Sequence, residues 1–95
     1  MSTAQQLHGV RTKFIEKASK VVLDQLMDDL LEDKVLTDGE IEGIKEEYKQ
    51  RADKARQLID SVRRKGNIAS NKFLIRLQER DNNVYSELGL TPRST

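Results

Sequence analysis

Apolar side chains recur along residues 51–65 at the spacing of one helix face. They are Ala55, Leu58, Ile59 and Val62, at i, i+3, i+4 and i+7. This pattern predicts an amphipathic α-helix with one buried stripe. Arg56 and Arg63 lie seven residues apart on a flank of that stripe, and Lys54 lies on the other flank. The helix therefore has a buried face and a charged edge. The role of that edge has to be inferred from the charges in the rest of the chain.

Similar periodicity predicts five further short helices. Their expected spans are about residues 7–20, 21–32, 37–49, 67–80 and 82–89. Thr37 and Glu40 have the spacing of a capping box, Gly66 is expected to end the helix over 51–65, and Asn67 to cap the next. Residues 1–6 are expected to be a flexible N-terminus, residues 7–90 one domain, and residues 91–95 a tail or the start of a linker. Six short amphipathic helices with short connections predict an all-α antiparallel bundle.

Composition restricts the class of protein further. Of the 95 residues, 35% are charged and 4% are aromatic, so the core must be mainly aliphatic. The absence of cysteine excludes a disulfide frame and a cysteine nucleophile, and is typical of a cytoplasmic protein. The sequence has neither a membrane-spanning apolar run nor a secretion signal at its start. We therefore expect a small helical domain in the cytoplasm that does not act at a membrane.

Charge is strongly segregated although the net charge is only +1. Residues 11–20 carry four bases against one acid, residues 24–47 ten acids against two bases, and residues 49–65 seven bases against two acids. Asp24, Asp28 and Glu32 repeat at i, i+4 and i+8 with Asp29 beside them, and like charges at that spacing cost about 0.2–0.5 kcal/mol per pair. No base within that helix offsets them, which indicates a partner either elsewhere in the fold or on another molecule. Arg11, in contrast, projects into the apolar arc of the first helix.

Residues suited to catalysis or to metal binding do not form a recognisable group. His8 is the only histidine, and we expect it to be a solvated surface residue. No serine has a nucleophile-elbow context, and there is no glycine-rich phosphate loop. An EF-hand alignment on Gly39 would put Lys34, Leu36 and Lys45 where calcium ligands belong. We therefore expect no cofactor, no metal and no enzymatic activity from this domain itself.

Several segments resemble the caspase recruitment domain, a member of the death-fold superfamily. Asp53 to Val62, followed by Arg64 to Gly66, is similar to the fourth helix of that family. Thr12 to Ile15 resembles its first helix, Leu23 to Leu36 its second helix and turn, and Tyr85 to Leu90 its closing helix. The likeness covers about residues 7–90 and is greatest to inflammatory-caspase prodomains and to proteins that consist of this domain alone.

This resemblance implies a six-helix Greek-key bundle whose function is homotypic recruitment of other caspase recruitment domains. Members commonly dock a basic surface on helices one and four against an acidic surface on helices two and three of the next domain. Carried over by position, the basic face consists of Lys13, Lys17, Arg51, Lys54, Arg56 and Arg63. The acidic face consists of Asp24, Asp28, Glu32, Glu40, Glu42 and Glu46. The expected partners are a caspase, adaptor or receptor with such a domain, with a homo-oligomer or filament as a further possibility.

The resemblance leaves several alternatives open. The chain could be an excised domain, such as the prodomain of a cysteine protease, or a domain-only decoy that binds partners without polymerising. It does not distinguish inflammasome from apoptotic signalling. A small nucleic-acid-binding helical domain is a weaker alternative, because the pI is about 8.0 and the acidic segment would repel phosphate. We therefore expect partners that are neither nucleic acid nor membrane.

Overall fold

The computed structural model describes residues 2–89, and all of their regular secondary structure is helical. Six helices follow one another in the order α1 to α6, which confirms the predicted all-α class. Their bounds are α1 Thr3–Lys17, α2 Lys20–Glu32, α3 Asp38–Glu47, α4 Arg51–Arg64, α5 Asn67–Arg80 and α6 Asn82–Glu87. The predicted tail over residues 91–95 lies outside the described residues.

Helix α1 begins four residues before the predicted start at Leu7. Ser2 caps it, since its hydroxyl accepts from the Gln5 backbone N–H at 3.2 Å and Gln5 Oε1 accepts from the Ser2 N–H at 3.1 Å. Thr3 is buried, and the Ala4 N–H donates to Asn67 Oδ1 at 3.0 Å. The prediction that the first helix starts at Leu7 is therefore wrong. The overlooked sequence signal is the capping-box spacing of Ser2 and Gln5.

The other helix ends follow local chemistry closely. Thr37 and Glu40 form the predicted capping box at the start of α3, and α3 ends at Glu47, two residues earlier than predicted. Gly66, with φ of 102°, follows α4, where a residue with a Cβ would be strained. The same glycine is the N-cap of α5, so the prediction that Asn67 caps this helix is wrong. The Asn67 side chain instead joins the start of α5 to the start of α1.

One aliphatic core lies between the helices. The apolar stripe of α4 is completely buried, as its periodicity predicts. Phe14 of α1 and Phe73 of α5 meet edge to face at its centre, with ring centroids 5.1 Å apart and an interplanar angle of 70°. Other fully buried large side chains are Leu7, Leu23, Leu26, Met27, Leu30, Leu58, Ile59 and Leu77. Within residues 2–89, no helix combines the length and apolar character needed to cross a membrane.

Helix packing decides which charged segments become neighbours. The most extensive packing joins α1 to α4, and the next most extensive joins α2 to α5. Helix α3 packs on α4, whereas the packing between α2 and α3 within the described residues is minor at most. The fold thus places the two basic segments side by side, and it brings the acidic helix α2 against α5 rather than against α3.

Candidate protein-interaction surface

The basic face predicted from the sequence lies on the paired helices α1 and α4. Lys13 is exposed and Lys54 half-buried, and neither takes part in a salt bridge within residues 2–89. Both ammonium groups can therefore donate to a carboxylate of another molecule without breaking an ion pair of the described fold. Of the six predicted basic residues, these two have the least internal engagement.

Three other members of the basic face already contact a carboxylate of the same chain. Arg56 donates through Nη1 to Asp53 Oδ1 within α4. Lys17 Nζ lies 3.7 Å from Glu87 Oε2 of α6, and Arg63 Nη2 lies 3.4 Å from Asp60 Oδ1. The Arg56–Asp53 and Lys17–Glu87 side chains are about two-fifths to one-half exposed, so these two contacts are those of a solvated surface and each contributes about 0–1 kcal/mol. Asp60 beside Arg63 is only 14% exposed.

Arg51 has a structural role that the sequence did not indicate. Its Nη1 donates to the carbonyl oxygens of Ile15 at 2.6 Å and of Ala18 at 2.7 Å. These carbonyls lie at the C-terminal end of α1, where backbone acceptors lack partners inside the helix and where a cation is favoured by the helix dipole. Arg51 therefore ties the start of α4 to the end of α1, and only part of its guanidinium faces solvent.

Arg11 points inward, as its place in the apolar arc of α1 predicts. Its guanidinium makes two bonds to Asp60 of α4, with Nε 2.7 Å from Oδ1 and Nη2 2.9 Å from Oδ2. The hydrogen bonds from Arg11 hold the pKa of Asp60 below its ordinary value, against the opposing effect of partial burial. This pair holds α1 against α4 beneath the basic face. Because the Arg11 guanidinium is already bound to Asp60, it is not free to bind a partner.

The acidic face is less uniform than its sequence suggests. Asp28, Glu42 and Glu46 are exposed, and Asp24 is half-buried. Glu40 is engaged twice, in the Thr37 capping box and with Lys65 Nζ at 2.9 Å, and the Lys65 hydrogen bond lowers the pKa of Glu40. The exposed Asp28, Glu42 and Glu46, together with the half-buried Asp24, are therefore the acidic-face carboxylates best suited to bind a cation of a partner.

Two arginines of α5 neutralise much of α2, and the sequence reasoning did not find them. Arg80 binds Asp29 through Nε and Nη2, each 2.7 Å from a carboxylate oxygen. Arg76 binds Asp33 through Nε at 2.9 Å and Nη2 at 2.7 Å, and Nη2 also lies 3.4 Å from Glu32 Oε1. Part of the positive charge predicted to bind the acidic residues of α2 is therefore supplied by α5 of the same domain.

This network changes the acid chemistry of α2. Asp29 is only 4% exposed, and the hydrogen bond from Arg80 is the main reason that its pKa lies below the ordinary value. The hydrogen bonds from Arg76 lower the pKa of Asp33 in the same way. Glu32, predicted for the acidic face, keeps 77% of its side chain exposed beside Arg76. Of the α2 carboxylates, Asp24 and Asp28 are left without a salt bridge in the described part of the chain.

A metal centre is not apparent in this region. Within residues 2–89 no group of three or more His, Asp or Glu side chains is arranged to hold a metal ion. His8 is exposed, as predicted, and lies beside a shallow groove that Arg63 also lines.

Known proteins are similar to this chain in sequence. The profile of the caspase recruitment domain family matches residues 4–91. Caspase-1-A of Xenopus laevis is 39% identical over 85 residues, covering 90% of this chain and 22% of that protein. Human caspase recruitment domain-containing protein 18 is 36% identical over 86 residues and is matched over 96% of its length. The chain thus spans about a fifth of the length of its caspase-1 relatives.

A solved structure supports the same assignment. The solution structure of ICEBERG, described as an inhibitor of interleukin-1β generation, superposes with a TM-score of 0.82 at 35% identity, covering 90% of this chain and 96% of ICEBERG. The likeness extends over the six-helix death-fold bundle. Because the family profile spans nearly all the described residues, the chain belongs to the caspase recruitment domain family.

Proposed function

We propose that this domain is a homotypic interaction module that docks its basic face against the acidic face of another caspase recruitment domain. The basic face is the set Lys13, Lys17, Arg51, Lys54, Arg56 and Arg63, and the acidic face is the set Asp24, Asp28, Glu32, Glu40, Glu42 and Glu46. The observation that carries the proposal is the packing of α1 on α4, because it unites two basic segments that the sequence separates.

Complementary faces on one domain favour assemblies. A contact between two different surfaces of identical copies propagates into a helix unless its rotation closes a ring. Exposed ion pairs are individually weak, so such an assembly requires many contacts and its affinity falls as salt screens the charges. We therefore include oligomers or filaments of this domain, alone or with a partner, in the proposal.

The partners proposed are proteins with their own caspase recruitment domain, with caspase-1 prodomains first among them because of the similarity to caspase-1 of several species. The setting would be cytoplasmic, which the lack of cysteine supports. Both inflammasome and apoptotic assemblies are compatible with this chemistry.

A second candidate is a regulator that occupies a partner without assembling further. It is supported by the similarity to ICEBERG, which is described as an inhibitor of interleukin-1β generation. Light scattering of the isolated domain at low salt separates the two. A domain that stays monomeric yet binds a caspase-1 prodomain favours the regulator, and salt-sensitive self-assembly favours the first candidate.

The two-face proposal is tested by charge reversal on each face. Arg56→Glu disables the basic face and Asp28→Lys disables the acidic face, so each variant alone should lose self-association measured by light scattering. Mixed together, they should form a 1:1 complex because each retains one intact face. Glu79→Gln on α5, which changes the charge without placing a second cation beside Arg76, is the control and should assemble as the parent does. Self-association that survives both Arg56→Glu and Asp28→Lys would contradict the proposal.

A further inference from the structure

Arg56, one of the six predicted basic-face residues, already has a carboxylate partner in its own helix. Arg56 Nη1 donates to Asp53 Oδ1 one helical turn earlier in α4. The two side chains are 41% and 43% exposed, so the pair lies where a partner would approach. The pairing of Lys17 with Glu87 of α6 shows that the same face carries a second internal carboxylate.

The Asp53 carboxylate lies close to any partner group that binds Arg56. Residues three apart on a helix lie on the same side, about 5–6 Å from each other. An incoming carboxylate can reach Arg56 only by sharing its guanidinium with Asp53 or by displacing Asp53, and in either case two negative charges come close together. Lys54, which has no salt bridge within residues 2–89, presents no such obstacle.

We propose that Asp53 is a specificity-determining residue that competes with the partner's carboxylate for Arg56 and so lowers the affinity of the basic face. This inference rests on the proposed docking of the basic face against acidic domains. It predicts that Asp53 weakens the binding of any partner that reaches Arg56 by a few-fold, the amount expected for one exposed ion pair. The loss matters most for weakly acidic partners, because a strongly acidic surface, such as the exposed carboxylates of α2 and α3 in a second copy, makes further contacts that offset it.

The test uses the two chains that can make only one contact. The Asp28→Lys chain supplies an intact basic face and the Arg56→Glu chain supplies an intact acidic face. Asp53→Asn is then introduced into the Asp28→Lys chain, and the dissociation constant of the 1:1 complex is measured by calorimetry. We expect binding to tighten by about two- to fivefold at low salt, which corresponds to the usual range for an exposed ion pair. The gain should shrink as sodium chloride is added.

Matched controls separate competition from a general change in charge. Arg76 and Glu79 form an i, i+3 pair on α5 with Nη1 and Oε1 3.7 Å apart, so Glu79→Gln makes the same charge change away from the face. It should leave the dissociation constant unchanged. Asp53→Asn should also give no gain in a chain that carries Arg56→Gln. Asp53 lies in the first turn of α4, where an acid favours the helix, so thermal unfolding should show equal or slightly lower stability together with the tighter binding.

The possible failures can be distinguished. If the two one-faced chains bind but Asp53→Asn leaves the dissociation constant unchanged, competition by Asp53 is disproved while the docking of the two faces stands. An equal gain from Glu79→Gln, or a gain that persists with Arg56→Gln, also overturns the inference. If the one-faced chains form no complex at all, both the inference and the proposed function fail.

Discussion

Asp29 and Arg80 form an ion pair with two hydrogen bonds that joins α2 to α5 across 51 residues of sequence. Asp33 and Arg76 repeat the arrangement one turn away, with the pairing order reversed as antiparallel helices require. The two ion pairs withdraw Asp29 from solvent, leave Asp33 only partly exposed, and hold α2, which carries Asp28, against α5. Fold stability and the shape of the acidic face therefore depend on the same residues.

Asp29→Asn should destabilise the domain clearly at neutral pH. The substitution keeps the size of the side chain but removes its charge and one acceptor for the Arg80 guanidinium, at a site that is almost fully buried. We expect the free energy of unfolding to fall by about 1–3 kcal/mol, the range for hydrogen bonds to charged groups. Asp24→Asn on the same helix is the control and should change it by less than about 0.5 kcal/mol. Urea denaturation measures the free energy of unfolding of both variants. Equal losses in the two would contradict a stabilising role for the buried Asp29–Arg80 pair.

The aspartates whose pKa values are lowered by arginine partners predict how the stability of the domain depends on pH. Asp29, Asp33 and Asp60 have pKa values lowered in the folded state by their arginine partners. Their contribution is therefore complete above the ordinary aspartate pKa of about 4 and is lost as pH falls through the lower folded-state values. Urea midpoints measured from about pH 6 to pH 2 should fall most steeply below about pH 4.

Asp29→Asn provides the comparison for that titration. Because the variant lacks one of the lowered groups, its stability gap from the parent should narrow at the acid end. A gap that is the same at pH 6 and pH 2 would show that Asp29 does not titrate with a lowered pKa in the folded domain.

Local signals predicted the helices far better than they predicted the charge contacts. The α4 stripe and the Thr37–Glu40 capping box depend on residues within two turns, so their spacing is sufficient to predict them. The Arg80–Asp29 pair depends on the antiparallel packing of α2 and α5, which no short pattern contains. Its only trace in the sequence is the matching i, i+4 spacing of Asp29 with Asp33 and of Arg76 with Arg80.

The same limitation applies to the candidate site. Charge segregation along the chain predicted that α1 and α4 are basic, and α2 and α3 acidic. It could not show that Arg51 binds carbonyl oxygens of α1, because that contact depends on how α4 packs against α1. The pairing of Arg56 with Asp53 is an i, i+3 contact within α4, so its spacing was already present in the sequence although the prediction did not use it.

Within the predicted basic face, substitution of Arg51 should lower the stability of the domain, whereas substitution of Lys54 should weaken binding. Arg51→Gln removes the guanidinium that donates to the Ile15 and Ala18 carbonyls, and we expect the free energy of unfolding to fall by about 1–2 kcal/mol. Hydrogen exchange should speed up at the C-terminal end of α1. Lys54→Gln should leave stability within about 0.5 kcal/mol and weaken binding to an acidic partner domain. The reverse pattern, with Arg51→Gln changing only binding, would contradict the structural role of Arg51.

Glu40 and Glu42 provide the corresponding comparison on the acidic helix α3. Glu40 accepts from the Thr37 N–H at 2.9 Å and from Lys65 Nζ at 2.9 Å, whereas Glu42 is exposed. Glu40→Gln keeps the capping geometry but loses the charge that Lys65 binds, so we expect a loss of about 0.5–1 kcal/mol in unfolding free energy. Its effect on binding to a basic face should be small, since Lys65 already neutralises the carboxylate.

Glu42→Gln should give the opposite result, with unchanged stability and weaker binding. The measurement is a titration of each variant, carrying Arg56→Glu, with the Asp28→Lys chain, alongside urea denaturation of both. If Glu40→Gln weakens the complex as much as Glu42→Gln does, the Lys65 pair opens on binding and Glu40 belongs to the docking surface. If neither variant weakens it, the contact made by the acidic face lies on α2 around Asp28 rather than on α3. Because any packing between α2 and α3 within residues 2–89 is minor at most, these variants test the two helices separately.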